Sequence, residues 1–165
     1  MNEARIERLN FLIRVVTKEI QHLNYSSQLV FIQPFSIERV DLLASDEAFA
    51  QTVEAFVSRF SRLQDTIADK LIPVWLMLMG EKLGAAIDNL DKAEKLGVLH
   101  SADEWLEIRQ LRNLMVHEYI ESVEILANAL NTAHRFQAIL IDCAVAITHD
   151  CQARGLINRR KLEMD

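Results

Sequence analysis

The stretch SDEAFAQTVEAFVSRFSRLQDTI, residues 45–67, carries Phe49, Val53, Phe56, Phe60, Leu63 and Ile67 at alternating steps of four and three. That period lines six apolar side chains along one stripe of an α-helix and would scatter them over both faces of a strand. Ser45 and Asp46 can offer oxygens to the first free amides, so a helix is predicted from there to about Lys70, where Pro73 must kink or end it.

The same reading extends in both directions. A second apolar run, Ile72–Met79, continues to Gly80 or beyond, and Glu81–Lys95 has helical spacing through Leu83, Ile87, Leu90 and Ala93, with Gly97 as its left-handed stop. Ser101 and Glu104 form a capping-box pattern, which predicts a helix from about Ala102 to about Tyr119. After a break near Glu121 and Ser122, a long helix is expected through Leu126, Leu130, Ala133, Leu140, Cys143 and Ile147, ending near Gly155 before a frayed Arg159-Arg160-Lys161 tail. On the N-terminal side, residues 3 to about 23 read as a first helix, 26–34 as a loop and 36–44 as a short helix. No repeat, low-complexity tract or linker interrupts the pattern, so residues 1–165 are expected to form a single all-α bundle of about five to six helices.

Composition agrees with that choice. Half of the 165 residues are hydrophobic while only four are Gly and two are Pro, a balance that favours long helices with short turns over a many-stranded sheet. A net charge of -6 argues against a broad phosphate-binding surface, so any nucleic-acid contact must be local. Cys143 and Cys151 stand eight apart on one helix, which separates them by roughly 12 Å along the axis and rules out a disulfide between them. Buried thiols in a reducing cytosol are expected, and with no signal peptide or membrane-length apolar run in view the expected location is cytoplasmic.

One side chain conflicts with its surroundings. With Arg112 at 0° and 100° per residue, Trp105, Ile108, Met115, Val116 and Tyr119 fall within about 60° of it, so the projection sets a permanent cation in the middle of an apolar face. Such a charge is costly unless it is paired or reaches a polar cleft. Asp65, Asp69 and Asp88 are the carboxylates that could pair with it, and that pairing is the structural alternative to a functional role. Asn113 and His117, at about 100° and 140°, form an i,i+4 pair on the flank of the same face.

The run Arg112-Asn113-Leu114-Met115-Val116-His117-Glu118-Tyr119 resembles the R-N-x-x-x-H-x-Y signature of HEPN domains, in particular the HepT-like toxins paired with small nucleotidyltransferase (MNT-type) antitoxins. The layout is also similar, because HEPN domains are antiparallel helical bundles with this motif near the end of an inner helix and a long helix after it. The resemblance implies a metal-independent endoribonuclease whose two motifs face each other across a homodimer cleft, with RNA as substrate and a nucleotidyltransferase antitoxin as partner. These residue types suit that chemistry. His117 titrates near neutrality and can serve as acid or base, Arg112 offers a fork of donors to a charged phosphorane, and Asn113 can orient either. The resemblance further implies that Tyr119 receives AMP from the antitoxin, placing an anionic adduct beside Arg112. The same motif is also compatible with a non-catalytic HEPN subunit that presents substrate to a partner nucleotidyltransferase.

Other features are less specific. Arg59, Arg62 and Arg109 can add positive charge near the cleft, although arginines at such positions more often form a solvated helix face. His22, His100, His134 and His149 have no metal-ligand spacing, and no glycine-rich phosphate loop is present, so neither metal nor cofactor is expected. Trp75, Met77 and Met79 after Pro73 suit core packing, and a dimer or antitoxin surface would use the same residue types.

Overall fold

A computed structural model describes residues 2–117 and 122–157, with the side chain of His117 left undescribed. Tyr119 and the Arg159-Arg160-Lys161 tail lie outside the described residues. The described chain is all-α: α1 (Asn2–Val30), α2 (Ile37–Asp41) with a 3-10 turn (Leu42–Ala44), α3 (Glu47–Thr66), a π-helical segment (Ile67–Leu71), α4 (Ile72–Leu78), α5 (Ala86–Lys95), α6 (Ala102–His117) and α7 (Val123–Ala153). Cross-helix pairs run in opposite numerical order. Arg59 meets Ser26 while Thr66 meets Glu19; Asn10 meets Leu156 while Gln137 meets Asn24. The helices α1, α3 and α7 are thus neighbours in an antiparallel bundle.

Helix α3 forms as its period requires. Asp46 accepts a hydrogen bond from the Phe49 amide at 3.0 Å, and Val53, Phe56, Phe60, Leu63 and Ile67 are all buried. Each fully buried Phe or Leu contributes about 2 kcal/mol through lost apolar exposure. Pro73 falls in the first turn of α4, and the irregularity it demands lies just upstream, where the Ile72 amide bonds the Ile67 carbonyl in the wider π pattern. Trp75 is buried and donates to Asp150 at 2.8 Å, tying α4 to the end of α7.

Two boundaries differ from expectation. The first helix runs on to Val30, through the stretch expected to be a loop. Ser26 and Ser27 point inward between Leu23 and Val30, and Arg39 closes the helix end by donating to the carbonyls of Val30 at 2.5 Å and Gln33 at 2.7 Å. The guanidinium is buried over the rings of Phe35 and Phe49, 4.4 and 5.0 Å from their centroids. The fifth helix begins at Ala86, not Glu81, and Leu83 is partly exposed. Side chains of its own first turns hold the preceding loop: Asp88 accepts from the Ala85 amide and Asn89 from the Gly84 amide, each at 3.0 Å.

The Ser101 cap forms only in its hydroxyl half, accepting from the Glu104 amide at 3.3 Å. Glu94 of α5 takes the Ala102 amide instead, and the Glu104 carboxylate lies 3.7 Å from His100. Ser122 caps α7 by accepting from the Ile125 amide, and Gly155 ends it at φ 69. Among the described residues no helix is long and apolar enough to cross a membrane. Cys143 and Cys151 are free and buried, and burial pushes both thiols up to about 12.

Candidate functional site

The C-terminal half of α6 presents Arg112 toward α3. Ala102, Trp105, Ile108, Leu111 and Met115 are the buried residues of this helix, whereas Val116 is 54% exposed. Of the residues projected around Arg112, Trp105, Ile108 and Met115 are buried as expected and Val116 is not. In the last turns the buried side is that of Leu111 and Met115, so Arg112 there borders the open edge on which Val116 lies.

Arg112 meets Asp65 through both forks of its guanidinium, with Nη1 to Oδ1 and Nη2 to Oδ2 each at 3.3 Å. One turn earlier on α6, Arg109 pairs with Asp69. Rising numbers on α6 meet falling numbers on the α3 side, so these helices also run antiparallel. Of the three carboxylates that could pair with Arg112, Asp65 does so, Asp69 serves Arg109, and Asp88 caps α5. The Arg112 and Asp65 side chains are 42% and 38% exposed. A pair this open stabilises the fold by no more than about 1 kcal/mol, and solvent or an anion can compete for it.

Beside the pair lies an open hollow of about 620 Å³ between α3 and α6. Ser61, Arg62, Asp65 and Lys70 form one wall and Arg112, Met115 and Val116 the other, with Glu54 at the far end. Lys70, which follows Asp69 in the π segment, lines the hollow. Ser61 is buried, and its Oγ has no hydrogen-bond partner among the described residues.

Asn113 is exposed, and α6 ends four residues further on at His117. Arg59, Arg62 and Arg109 do not form one cationic face. Arg59 donates to the His22 carbonyl at 3.0 Å and to Ser26 Oγ at 2.6 Å, Arg109 is engaged by Asp69, and Arg62 lines the hollow. Sequence reading missed the hollow itself and the separate position of Arg62; a signal was available in Asp65 and Asp69, spaced four apart opposite Arg109 and Arg112, spaced three apart.

The remaining histidines are dispersed. His134 stacks on Phe31 at 4.0 Å, where burial lowers its pKa, and His149 lines a separate apolar groove between α1 and α7. Among the described residues no group of three His, Cys, Asp or Glu side chains could hold a metal ion. No protein-family model, curated protein or solved structure matches the chain.

Proposed function

We propose that this chain is a HEPN-type, metal-independent endoribonuclease, acting as a homodimer and held in check by a partner nucleotidyltransferase. The observation that carries the reading is the Arg112-Asn113-x-x-x-His117-x-Tyr119 run in the sequence, whose arginine stands on α6 half-exposed on the wall of an open hollow. In the proposed reaction the ribose 2′-oxygen forms a bond to the adjacent phosphorus as the P–O5′ bond breaks. One imidazole takes the 2′-OH proton and a second, from the other copy of the chain, protonates the leaving 5′-oxygen. The products are a 2′,3′-cyclic phosphate and a 5′-hydroxyl. Arg112, turned from Asp65 to the phosphate, offsets the charge that builds on the phosphorane oxygens.

A bulky anionic adduct on Tyr119 would compete for the same guanidinium, so AMP transfer from the partner would occupy the cleft and silence it. The Arg112–Asp65 pair also favours a second reading, in which the motif is structural and the chain is a binding subunit that presents substrate to the nucleotidyltransferase. Induced expression separates the two. Growth arrest with RNA cleavage, lost in His117→Ala, supports the nuclease; equal harmlessness of both chains, with no cleavage, rejects it. Incubation with the partner and ATP should add the mass of one AMP to the wild type and none to Tyr119→Phe.

A further inference from the structure

The cations around the hollow differ in what holds them. Arg59, Arg109 and Arg112 are each held by an oxygen of a neighbour, whereas neither Arg62 nor Lys70 has a hydrogen bond or ion pair within 4 Å among the described residues. Both are exposed and both line the hollow. Arg62 also borders a notch of about 160 Å³ formed with Glu19, His22 and Arg59, so it stands on the ridge between two adjoining depressions.

Resting on the nuclease reading above, we propose that Arg62 and Lys70 bind phosphates of a single-stranded RNA, leading its backbone across α3 to Arg112. Four carboxylates bear on this path. Asp65 and Asp69 are already engaged by Arg112 and Arg109, and Glu54 stands two turns before Arg62 on α3, roughly 12 Å along the axis. Glu19 reaches Arg62 and Lys70 only at longer range, and its carboxylate accepts a hydrogen bond from Thr66. In a chain of net charge -6, an exposed arginine and lysine left unpaired in one concavity concentrate the local positive field that a polyanion needs. The open hollow of about 620 Å³ can take a short stretch of single-stranded backbone and is far smaller than a duplex.

The test uses the full-length chain carrying His117→Ala, so that bound RNA is not cut, and a labelled single-stranded RNA followed by fluorescence anisotropy across a salt series. Arg62→Gln with Lys70→Gln should weaken binding on the order of tenfold and flatten the log–log salt slope by about 1.4, the value for two single-strand phosphate contacts. Arg62→Lys should restore most of the affinity. Arg135→Gln, on the exposed face of α7, should change nothing, and a duplex of the same sequence should bind more weakly than the single strand. Unchanged melting in the double variant separates lost binding from lost folding. The track is overturned if the double variant binds with wild-type affinity and slope, if no form binds, or if the duplex binds equally well. Single-strand binding that depends on Arg62 and Lys70, in a chain whose wild type never cuts RNA, would retain the track and reject the nuclease.

Discussion

Arg39 and Arg112 are two cations in two settings, and their difference separates a charge that closes the fold from one that remains open to exchange. At the corner between α1 and α2, Arg39 is buried, its donors directed to the Val30 and Gln33 carbonyls and its plane laid over two aromatic rings. In the groove between α3 and α6, Arg112 is half-exposed and engaged by one carboxylate through two long contacts. Backbone carbonyls cannot leave, so the first arrangement is permanent. A solvated carboxylate can be replaced by a phosphate of the same fork geometry, so the second is reversible.

Breaking the exchangeable cation should have the largest effect, and on activity alone. If the proposed chemistry holds, Arg112→Ala should lower RNA cleavage by about 10²–10³-fold, while its melting temperature stays within a few degrees of wild type because the exposed pair contributes little. Undiminished cleavage by that variant would remove Arg112 from the chemistry. Arg39→Met should reverse the pattern. Leaving two carbonyls and the α1 terminus unsatisfied should cost about 3 kcal/mol, read as a fall in melting temperature of about 6–12 °C, with activity per folded molecule unchanged.

Asp65→Asn sharpens the contrast from the other partner. Freed of its carboxylate, Arg112 should bind the labelled RNA several-fold more tightly, at a stability cost below about 1 kcal/mol; weaker binding would mean that Asp65 positions the arginine and does not compete for it. The smallest effect is expected at Glu19. A carboxyl whose folded pKa is raised binds more protons when folded than when unfolded, so it lowers stability as pH climbs from its ordinary value through the raised one. Glu19→Gln, which keeps an oxygen for Thr66, should therefore melt slightly higher than wild type at pH 7, with the advantage gone below about pH 4.5.

These regions also differ in how far sequence revealed them. Helix α3 was legible because cap, stripe and length are local properties of residues 45–67, and the structure shows the same Asp46 cap and buried face. The end of α1 was not, because the group that closes it is Arg39, nine residues beyond Val30, and propensity yields to such tertiary contacts. The start of α5 was hidden for a related reason: Asp88 and Asn89 satisfy loop amides behind them. At the candidate site, the sequence supplied Arg112 and three possible carboxylates, but choosing Asp65 requires the lateral setting of α3 against α6. The exposure of Val116, beside buried Met115, depends on the same packing. Helix α6 extends to residue 117 and so carries both Asn113 and His117, whereas Tyr119 lies outside the described residues.

The π segment acts on the molecule as a phase step in a screw thread. An α-helix turns 100° per residue, and a π turn spreads one additional residue over about the same rotation, so the sequence period slips by one position between Thr66 and Ile72 while the side chains downstream keep their facing. Excising a single residue there would even out the pitch and leave Trp75 turned toward Asp150, whereas tightening the segment to α pitch with every residue kept would carry Trp75 about a quarter turn away. The apolar rows before and after the step are therefore out of phase in sequence and continuous in space, and a further insertion without a second wide turn would rotate all of α4.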